Sequence, residues 1–214
     1  SEQGQVAEYL AREGTLQATS NVLWALATLG VKARHVACAV DGKDFVQKLV
    51  SARPQDISIT LWALATMGLE AKNIVSAIES MDIFRNFGKE WKPQEMSNTL
   101  WALATMGVKA RNLVRAMDGK DVVRKLVWEG TTQNISNAVW ALAKMGLEAK
   151  NLARAVDNED IVQKLVQEGS PQCLSNTVWA IARVNHSDEK VFTALALVAE
   201  ERVSGFNPQA LVNT

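Results

Sequence analysis

The side chains best suited to bind a ligand recur at one register along this sequence. An eleven-residue motif with a central tryptophan, such as "SNTLWALATMG" at 97–107, occurs in five related copies. An indole offers a flat surface for stacking, and an asparagine three residues before it offers an amide that donates and accepts hydrogen bonds. Threonine, lysine or arginine stands four residues after the tryptophan. The candidate ligand-facing residues are Asn21, Thr28, Thr66, Asn98, Thr105, Asn137, Lys144, Asn176 and Arg183.

The motif tryptophans are Trp24, Trp62, Trp101, Trp140 and Trp179. In one interpretation each indole packs between adjacent units and donates its N–H to an Asn or Ser of the neighbour, while Asn and Gln amides form ladders along the array. In the other, the indoles line a groove and stack on a ligand. We favour the structural role, because a residue present in every unit cannot distinguish one ligand segment from another. It predicts that Trp101→Ala lowers the free energy of unfolding by about 3–5 kcal/mol.

Selectivity for a ligand would come from the motif positions that vary. The residue three before the tryptophan is Ile59 in one copy and Asn in the others. The residues six before it are Ala18, Asp56, Glu95, Asn134 and Cys173. A repeat that keeps its scaffold fixed and varies a few positions presents a modular surface. We therefore expect the variable positions to face a ligand.

Catalysis is not expected from this chain, nor is a metal or another cofactor. The two histidines, His35 and His186, have no Cys, Asp or Glu at the spacing of metal ligands. The sequence has no glycine-rich phosphate loop, and the motif serine recurs without an accompanying base. The Asp-Gly pairs at 41–42 and 118–119 lack the spacing of a calcium loop and predict turns. These features favour a binding module with no small-molecule substrate.

Each copy of the motif predicts a helix of about 13 residues. In "PQDISITLWALATMG", Pro54 suits the first turn of a helix and Gly68 suits its end. Apolar residues cover most of the helix circumference, at about 100° per residue. The remaining stripe holds Trp, the Ser four before it, the Asn three before it, the Gln seven before it and the residue four after it. We expect this stripe to be the only part of the helix that faces away from the core.

The second half of each unit, as in "VKARNLVRAMDGKDVVRKLVWEG", is also predicted to be helical. Its apolar residues at helical spacing are Leu113, Val114, Met117, Val122, Val123, Leu126 and Val127. Asp118-Gly119 separates the two groups, so the pattern fits either one kinked helix or two short helices. Two-helix and three-helix units therefore both stay open, and the fold class is all-α.

The motif tryptophans are 38, 39, 39 and 39 residues apart. A fixed period of this kind indicates an array in which each unit buries its apolar face on its neighbours. We predict a right-handed α-solenoid of tandem 38–39-residue helical repeats that forms a single array over residues 1–214. About five units, truncated at both ends, are expected, because "NPQALVNT" at 207–214 restates "SPQCLSNT" at 170–177. The chain is therefore expected to be a piece of a longer array.

Composition and charge narrow the class of protein. The 214 residues include 23 Lys+Arg and 23 Asp+Glu, and 48% are hydrophobic. This neutral balance differs from the basic one of a typical nucleic-acid-binding domain. Cys38 and Cys173 are too few for a disulfide framework, which indicates an intracellular setting. No apolar run reaches the roughly 18 residues that a membrane span needs.

The segment "PQEMSNTLWALATMG" at 93–107 resembles the core of the octotricopeptide repeats, and similar helices occur in FAST kinase-type and RAP-domain organelle proteins. The resemblance extends to all five motif copies and to their period. It implies an armadillo- or HEAT-like solenoid that binds single-stranded RNA or ribosomal RNA in a mitochondrion or chloroplast. The implied function is sequence-selective RNA binding in organelle RNA processing, stability or translation, or in a ribonucleoprotein.

The resemblance also implies roles for particular residues, with about one nucleotide facing each unit. Lys144 and Arg183 would meet phosphate or a guanine edge, and the asparagines would pair with base edges. Further phosphate contacts would come from Lys32, Arg34, Lys109, Arg111, Arg115 and Lys150. Glu70 and Glu148 occupy matching positions in alternate units and would interrupt a basic track.

A second function stays open beside RNA binding. The chain would then be a protein–protein interaction scaffold or a structural subunit of a large assembly, with protein partners in a complex. The neutral net charge favours this alternative, whereas the motif favours RNA.

Overall fold

The structure, a computed structural model, describes residues 2–49, 51–80, 87–184 and 189–202. Its regular elements are helices, with no strand among these residues, so the all-α prediction is confirmed. Residues 207–214, which restate the start of a motif, lie outside the described ranges. The motif helices are α2 (Leu16–Thr28), α5 (Pro54–Thr66), α8 (Pro93–Thr105), α11 (Thr132–Met145) and α14 (Pro171–Val184). The other helices are α1 (Glu2–Glu13), α3 (Arg34–Val40), α4 (Lys43–Leu49), α6 (Lys72–Ser80), α7 (Phe87–Glu90), α9 (Arg111–Met117), α10 (Lys120–Glu129), α12 (Lys150–Val156), α13 (Glu159–Glu168) and α15 (Glu189–Glu201).

The motif helices have the predicted length and ends. Each is 13 or 14 residues long. Pro54 occupies the first turn of α5, where its missing N–H costs nothing. The N-cap of α11 is instead Thr131, whose side chain accepts a hydrogen bond from the backbone N–H of Asn134. Gly68, which follows α5, has a φ of 65°, a left-handed conformation that strains any residue with a Cβ. Proline and glycine thus set the bounds of this helix as the sequence predicts.

The second half of a unit consists of two short helices, which settles the choice that the sequence leaves open. In the third unit, α9 ends at Met117 and α10 begins at Lys120, with Asp118 as the C-cap of the first and Gly119 as the N-cap of the second. The same break separates α3 from α4. The apolar residues predicted for this half are all buried. Units one to four, which begin with α2, α5, α8 and α11, therefore contain three helices each in the described ranges, and α15 follows α14 in unit five.

The motif helices pack on one another in chain order: α2 on α5, α5 on α8, α8 on α11 and α11 on α14. The residue before each tryptophan carries much of this packing, and Leu23, Leu61 and Leu100 are fully buried. Small residues such as Ala102 and Ala104 are also buried and allow close approach of the helix axes. The last short helix of one unit contacts the first short helix of the next, as α4 does with α6 and α10 with α12. The broad apolar arc predicted for the motif helix is therefore confirmed.

The motif serine belongs to the core, and its predicted place in the exposed stripe is wrong. The five residues are 0–2% exposed: Ser20, Ser58, Ser97, Ser136 and Ser175. Each hydroxyl donates a hydrogen bond to the backbone carbonyl of the Gln three residues earlier, at 3.0–3.4 Å. This bond satisfies the hydroxyl within its own helix. A small polar side chain can therefore occupy the interface between motif helices.

Cations of one unit bind the carboxyl ends of helices in the preceding unit. Lys164 Nζ of α13 donates hydrogen bonds to the carbonyls of Val127 and Gly130, at 3.5 and 2.7 Å, where α10 ends. Carbonyls at a helix end lack partners within the helix and attract positive charge. Equivalent bonds to the carboxyl end of α1, α7 or α13 are made by Lys48, Lys125 and Arg202. Successive units are thus held by directed bonds as well as by apolar contact.

Candidate functional site

The accessible side of the motif helices forms one surface, which we call the motif face. In each helix it consists of four positions: the Gln seven before Trp, the residue three before it, Trp itself and the residue four after it. These positions lie within about 60° of one another around a helix. Because consecutive motif helices are in contact, their rows are neighbours. In all five helices these positions hold no carboxylate.

Eight of the nine candidate residues are accessible on the motif face. The side chains four after Trp are all exposed, namely Thr28, Thr66, Thr105, Lys144 and Arg183. Among the asparagines, Asn21 is exposed, while Asn98 and Asn137 are half-buried. Asn176 is buried, and its Oδ1 accepts a hydrogen bond from Nε2 of Gln172 at 2.9 Å. The structure therefore aligns the candidates in one row per helix and withdraws Asn176 from direct access.

The five indoles are neither fully buried nor free in solvent. Trp24 is 50% exposed, and Trp62, Trp101 and Trp140 pack half-buried against the hydrophobic core. Within the described residues, none of the five donates its N–H to an Asn or Ser of a neighbouring unit, so the predicted indole bonds are not made there. The amide ladder between units stays a prediction. Each ring supports the core with part of its surface and leaves the rest available to a ligand.

The variable position six before Trp lies between motif helices in at least two units, so the prediction that it faces a ligand is wrong for Asp56 and Asn134. Asp56 and Cys173 are buried, Glu95 is half-buried and Ala18 is exposed. Across the contact between α8 and α11, Nδ2 of Asn134 donates to Oγ of Ser97 at 3.2 Å. Across the contact between α2 and α5, Oγ of Ser20 lies 3.5 Å from Oδ1 of Asp56. Variation at this position therefore adjusts the contact between helices.

The buried carboxylate of Asp56 is neutralised by a residue of its own unit. Nε of Arg53 lies 2.9 Å from Oδ2, and Nη2 of Arg53 lies 3.1 Å from Oδ1. The hydrogen bond to Asp56, followed by the attraction of its charge, raises the pKa of Arg53 above its ordinary value. A buried carboxylate is costly without such a partner. This pair therefore belongs to the helix–helix contact and not to the motif face.

The carboxyl-terminal part of the motif face combines aromatic rings with cations. The ring centroids of Trp140 and Trp179 are 6.3 Å apart, and the rings are tilted by 35°. Nζ of Lys144 lies 5.5 Å from the Trp140 centroid, and Cζ of Arg183 lies 5.2 Å from the Trp179 centroid. These distances suit cation–π attraction, which orders the charged groups beside the rings. Nε of Arg183 also donates to the carbonyl of Ala143, in the preceding motif helix, at 3.1 Å. The arrangement presents two indoles and two ordered positive charges to one ligand.

A second set of cations lies just beyond the carboxyl ends of the motif helices. Ten residues after Trp stand four exposed basic residues, Arg34, Lys72, Arg111 and Lys150. Lys72 is absent from the set predicted by sequence, although its register relative to Trp62 identifies it. Lys72 pairs with Glu70 at 3.1 Å and Lys150 with Glu148 at 3.9 Å, and all four side chains are mostly exposed. Such pairs are weak in water, so the cations stay available to an anionic ligand.

The other cations that the sequence predicts for phosphate contacts are also exposed, namely Lys32, Lys109 and Arg115.

In the part of the chain that the structure describes, no three His, Cys, Asp or Glu residues could hold a metal ion together. The helices described there also lack the length and apolar character needed to cross a membrane. The sequence matches no protein-family model and no curated protein. The chemistry of the motif face is thus the main evidence on function.

Proposed function

We propose that this chain is a non-catalytic helical-repeat module that binds single-stranded RNA along the motif face. The observation that carries the proposal is a partly exposed indole in each motif helix, accompanied in most copies by an amide and always by a hydroxyl or a cation. Single-stranded RNA is recognised by stacking of its bases on aromatic rings and by hydrogen bonds to their edges. By its resemblance to octotricopeptide proteins, the module serves organelle RNA processing, stability or translation, or a ribonucleoprotein.

In this proposal the units form a right-handed α-solenoid, and each motif helix faces about one nucleotide. The consecutive packing of the five motif helices supports this arrangement, because it brings their rows side by side. The varied residue four after Trp then contacts the base or phosphate at each step. Selectivity follows from the change from threonine in the first three units to Lys144 and Arg183 in the last two.

The distribution of charged residues on and beside the motif face favours RNA binding, although the net charge of the chain is zero. The motif face holds two cations and no carboxylate, and the exposed basic residues lie just past its helix ends. A strand that stacks its bases on the indoles would carry its phosphates toward one of these sets. Contacts of this kind release counterions, so binding should weaken steeply as salt rises.

The proposal is tested with a fluorescein-labelled 12-nucleotide RNA pool of random sequence, titrated with protein at several salt concentrations. We expect binding at roughly 50 mM salt that weakens steeply by roughly 200 mM. A variant with Trp101→Leu and Trp140→Leu keeps apolar bulk but loses two indoles, and it should bind at least about thirtyfold more weakly, given about 1–3 kcal/mol per stacked base. Absence of binding at the lowest salt, or full affinity in the folded variant, contradicts the proposal.

A protein-binding scaffold is the second candidate function, and the charge pattern next to the motif face favours it. Eight residues after Trp the charge alternates as Lys32, Glu70, Lys109 and Glu148, all exposed. An alternating row would repel part of a phosphate backbone, whereas it suits a partner with charges of both signs. The same RNA titration separates the two functions, because a scaffold needs no affinity for the RNA pool.

A further inference from the structure

A groove outside the motif face lies between α10, α12 and α13. Its volume is about 340 Å³, and its lining includes Lys120, Arg124, Trp128 and Arg154. None of the lining residues belongs to a motif helix. The groove is therefore separate from the surface that we assign to RNA.

The indole of Trp128 is the most conspicuous feature of this groove. It is 55% exposed, although Val123 and Val127 of the same helix are buried. The equivalent position holds Ser51 after α4 and Gln167 in α13. Packing of the repeat thus does not require a tryptophan here, and an exposed aromatic residue is typical of a binding surface.

The charge of the groove differs between units. The equivalents of Arg124 are Gln47 in α4, Arg85 in the second unit and Gln163 in α13, and no carboxylate lines the groove. In the described part of the chain, Lys120, Arg124 and Arg154 form no ion pair. Three cations and one accessible tryptophan thus line the same groove.

We propose that this groove binds an acidic peptide segment of a partner protein, one that carries an aromatic or long aliphatic side chain. The apolar side chain would pack on Trp128, and the carboxylates would pair with Arg124 and Arg154. Tryptophan and arginine are the residues that most often dominate the energy of a protein interface. Arginine also binds carboxylates through two parallel hydrogen bonds.

A peptide fits this groove better than a nucleic acid does. A bound strand needs a positive track over several units. The equivalents of Arg124 and Trp128 are the cations Arg85 and Lys89 in the preceding unit, but they are the neutral Gln163 and Gln167 in the following unit, where the track stops. On the outer side of Trp128, the carboxylates of Asp121 and Glu129 share a second depression with Arg124. They would repel a phosphate backbone, whereas a short peptide can end before it reaches them.

The chain supplies its own control variant for the test. Arg124→Gln with Trp128→Gln gives α10 the residues that α13 carries as Gln163 and Gln167, so the fold already accommodates them. A phage-displayed library of random dodecapeptides is selected on the intact protein after subtraction on this variant. We expect the enriched peptides to contain several Asp or Glu and an aromatic or long aliphatic residue. A synthetic peptide from the selection should bind the variant at least about tenfold more weakly, which corresponds to about 1.4 kcal/mol.

Fluorine NMR on protein labelled with 5-fluorotryptophan locates the site directly. The Trp128 resonance is the one that disappears in the double variant, and the acidic peptide should shift it while the motif tryptophans stay in place. Arg154→Ser, the residue that α6 carries as Ser76, should weaken the peptide as well. The proposal is overturned if the enriched peptides are not acidic, if the folded variants keep full affinity, or if the RNA pool shifts the Trp128 resonance instead.

Discussion

The carboxylate of Asp118 caps α12, a helix of the next unit, at the backbone of Asn151. Its Oδ1 accepts hydrogen bonds from the backbone N–H groups of Asn151 and Leu152, at 2.8 and 3.1 Å. The Asn151 amide in turn donates to the carbonyl of Asp118 at 2.6 Å. The N-cap of α12 is Ala149, which has no side-chain oxygen for this purpose, so the cap comes from the preceding unit.

We expect Asp118→Ala to lower the free energy of unfolding by about 1–2 kcal/mol, the cost of losing a helix cap. The carboxylate links two units, so its loss exposes two N–H groups of α12 at once. Urea unfolding followed by circular dichroism measures the change. Glu129→Ala removes an exposed carboxylate from the adjacent helix and serves as the control. Equal stability of the two variants would show that the cap contributes nothing.

Lys164 should stabilise the array through its charge and not through its stem. Lys164→Met keeps the apolar stem but removes the hydrogen bonds to the carboxyl end of α10, and we expect a loss of about 1–2 kcal/mol. Lys109→Met, at an exposed position, should change the free energy of unfolding by less than about 0.5 kcal/mol. Thermal unfolding of both variants at low and high salt shows whether the stabilisation by Lys164 depends on its charge. A loss that does not shrink in high salt would contradict a charge-based role.

Trp91 is a core residue and Trp101 lies at the surface, so their replacement should lower the free energy of unfolding by different amounts. Trp91 is 2% exposed, so Trp91→Ala should cost about 3–5 kcal/mol. Trp101 is half-buried, and its removal should cost about 2 kcal/mol, which revises the larger value that the sequence predicts. Guanidinium unfolding measures both. Similar losses for the two variants would indicate that Trp101 is as much a core residue as Trp91.

The two cations of the motif face should contribute to RNA affinity. Lys144→Thr with Arg183→Thr places in the last two units the residue that the first three already carry. Fluorescence anisotropy with the random RNA pool should show a smaller salt dependence, by about one in the log–log slope per lost phosphate contact. Lys43→Thr with Lys120→Thr removes two cations outside the face and should leave that slope unchanged. A smaller salt dependence in the variant at Lys43 and Lys120, with no change in the variant at Lys144 and Arg183, would show that RNA binds outside the motif face.

The sequence predicts the elements of this fold well, because each element has local signals. Pro54 and Gly68 mark the bounds of α5, and the spacing of Leu113, Met117 and Leu126 identifies residues that are buried. These features depend on residues within a few turns of one another. Helical periodicity is sufficient to locate them.

The contacts between units could not be predicted in the same way. The bond from Asn134 to Ser97, and the place of Asp56 between two helices, depend on how one unit docks on the next. Position on a helical wheel indicates which side chains share a face but not which face another helix covers. For that reason the sequence correctly groups Asn98 and Thr105 with Trp101, yet wrongly adds Ser97 to the exposed stripe.

The junctions between motif helices differ in chemistry, and this fixes the order of the units. One junction places a serine against the ion pair of Asp56 and Arg53, whereas another places a serine against the neutral amide of Asn134. Deleting or shuffling a whole unit would keep the period but join halves that evolved for other neighbours. A unit cut between Arg53 and Asp56 would bring an uncompensated charge into this contact. Near-identical units are thus not interchangeable parts, and engineered arrays of this type should be recombined with their junctions intact.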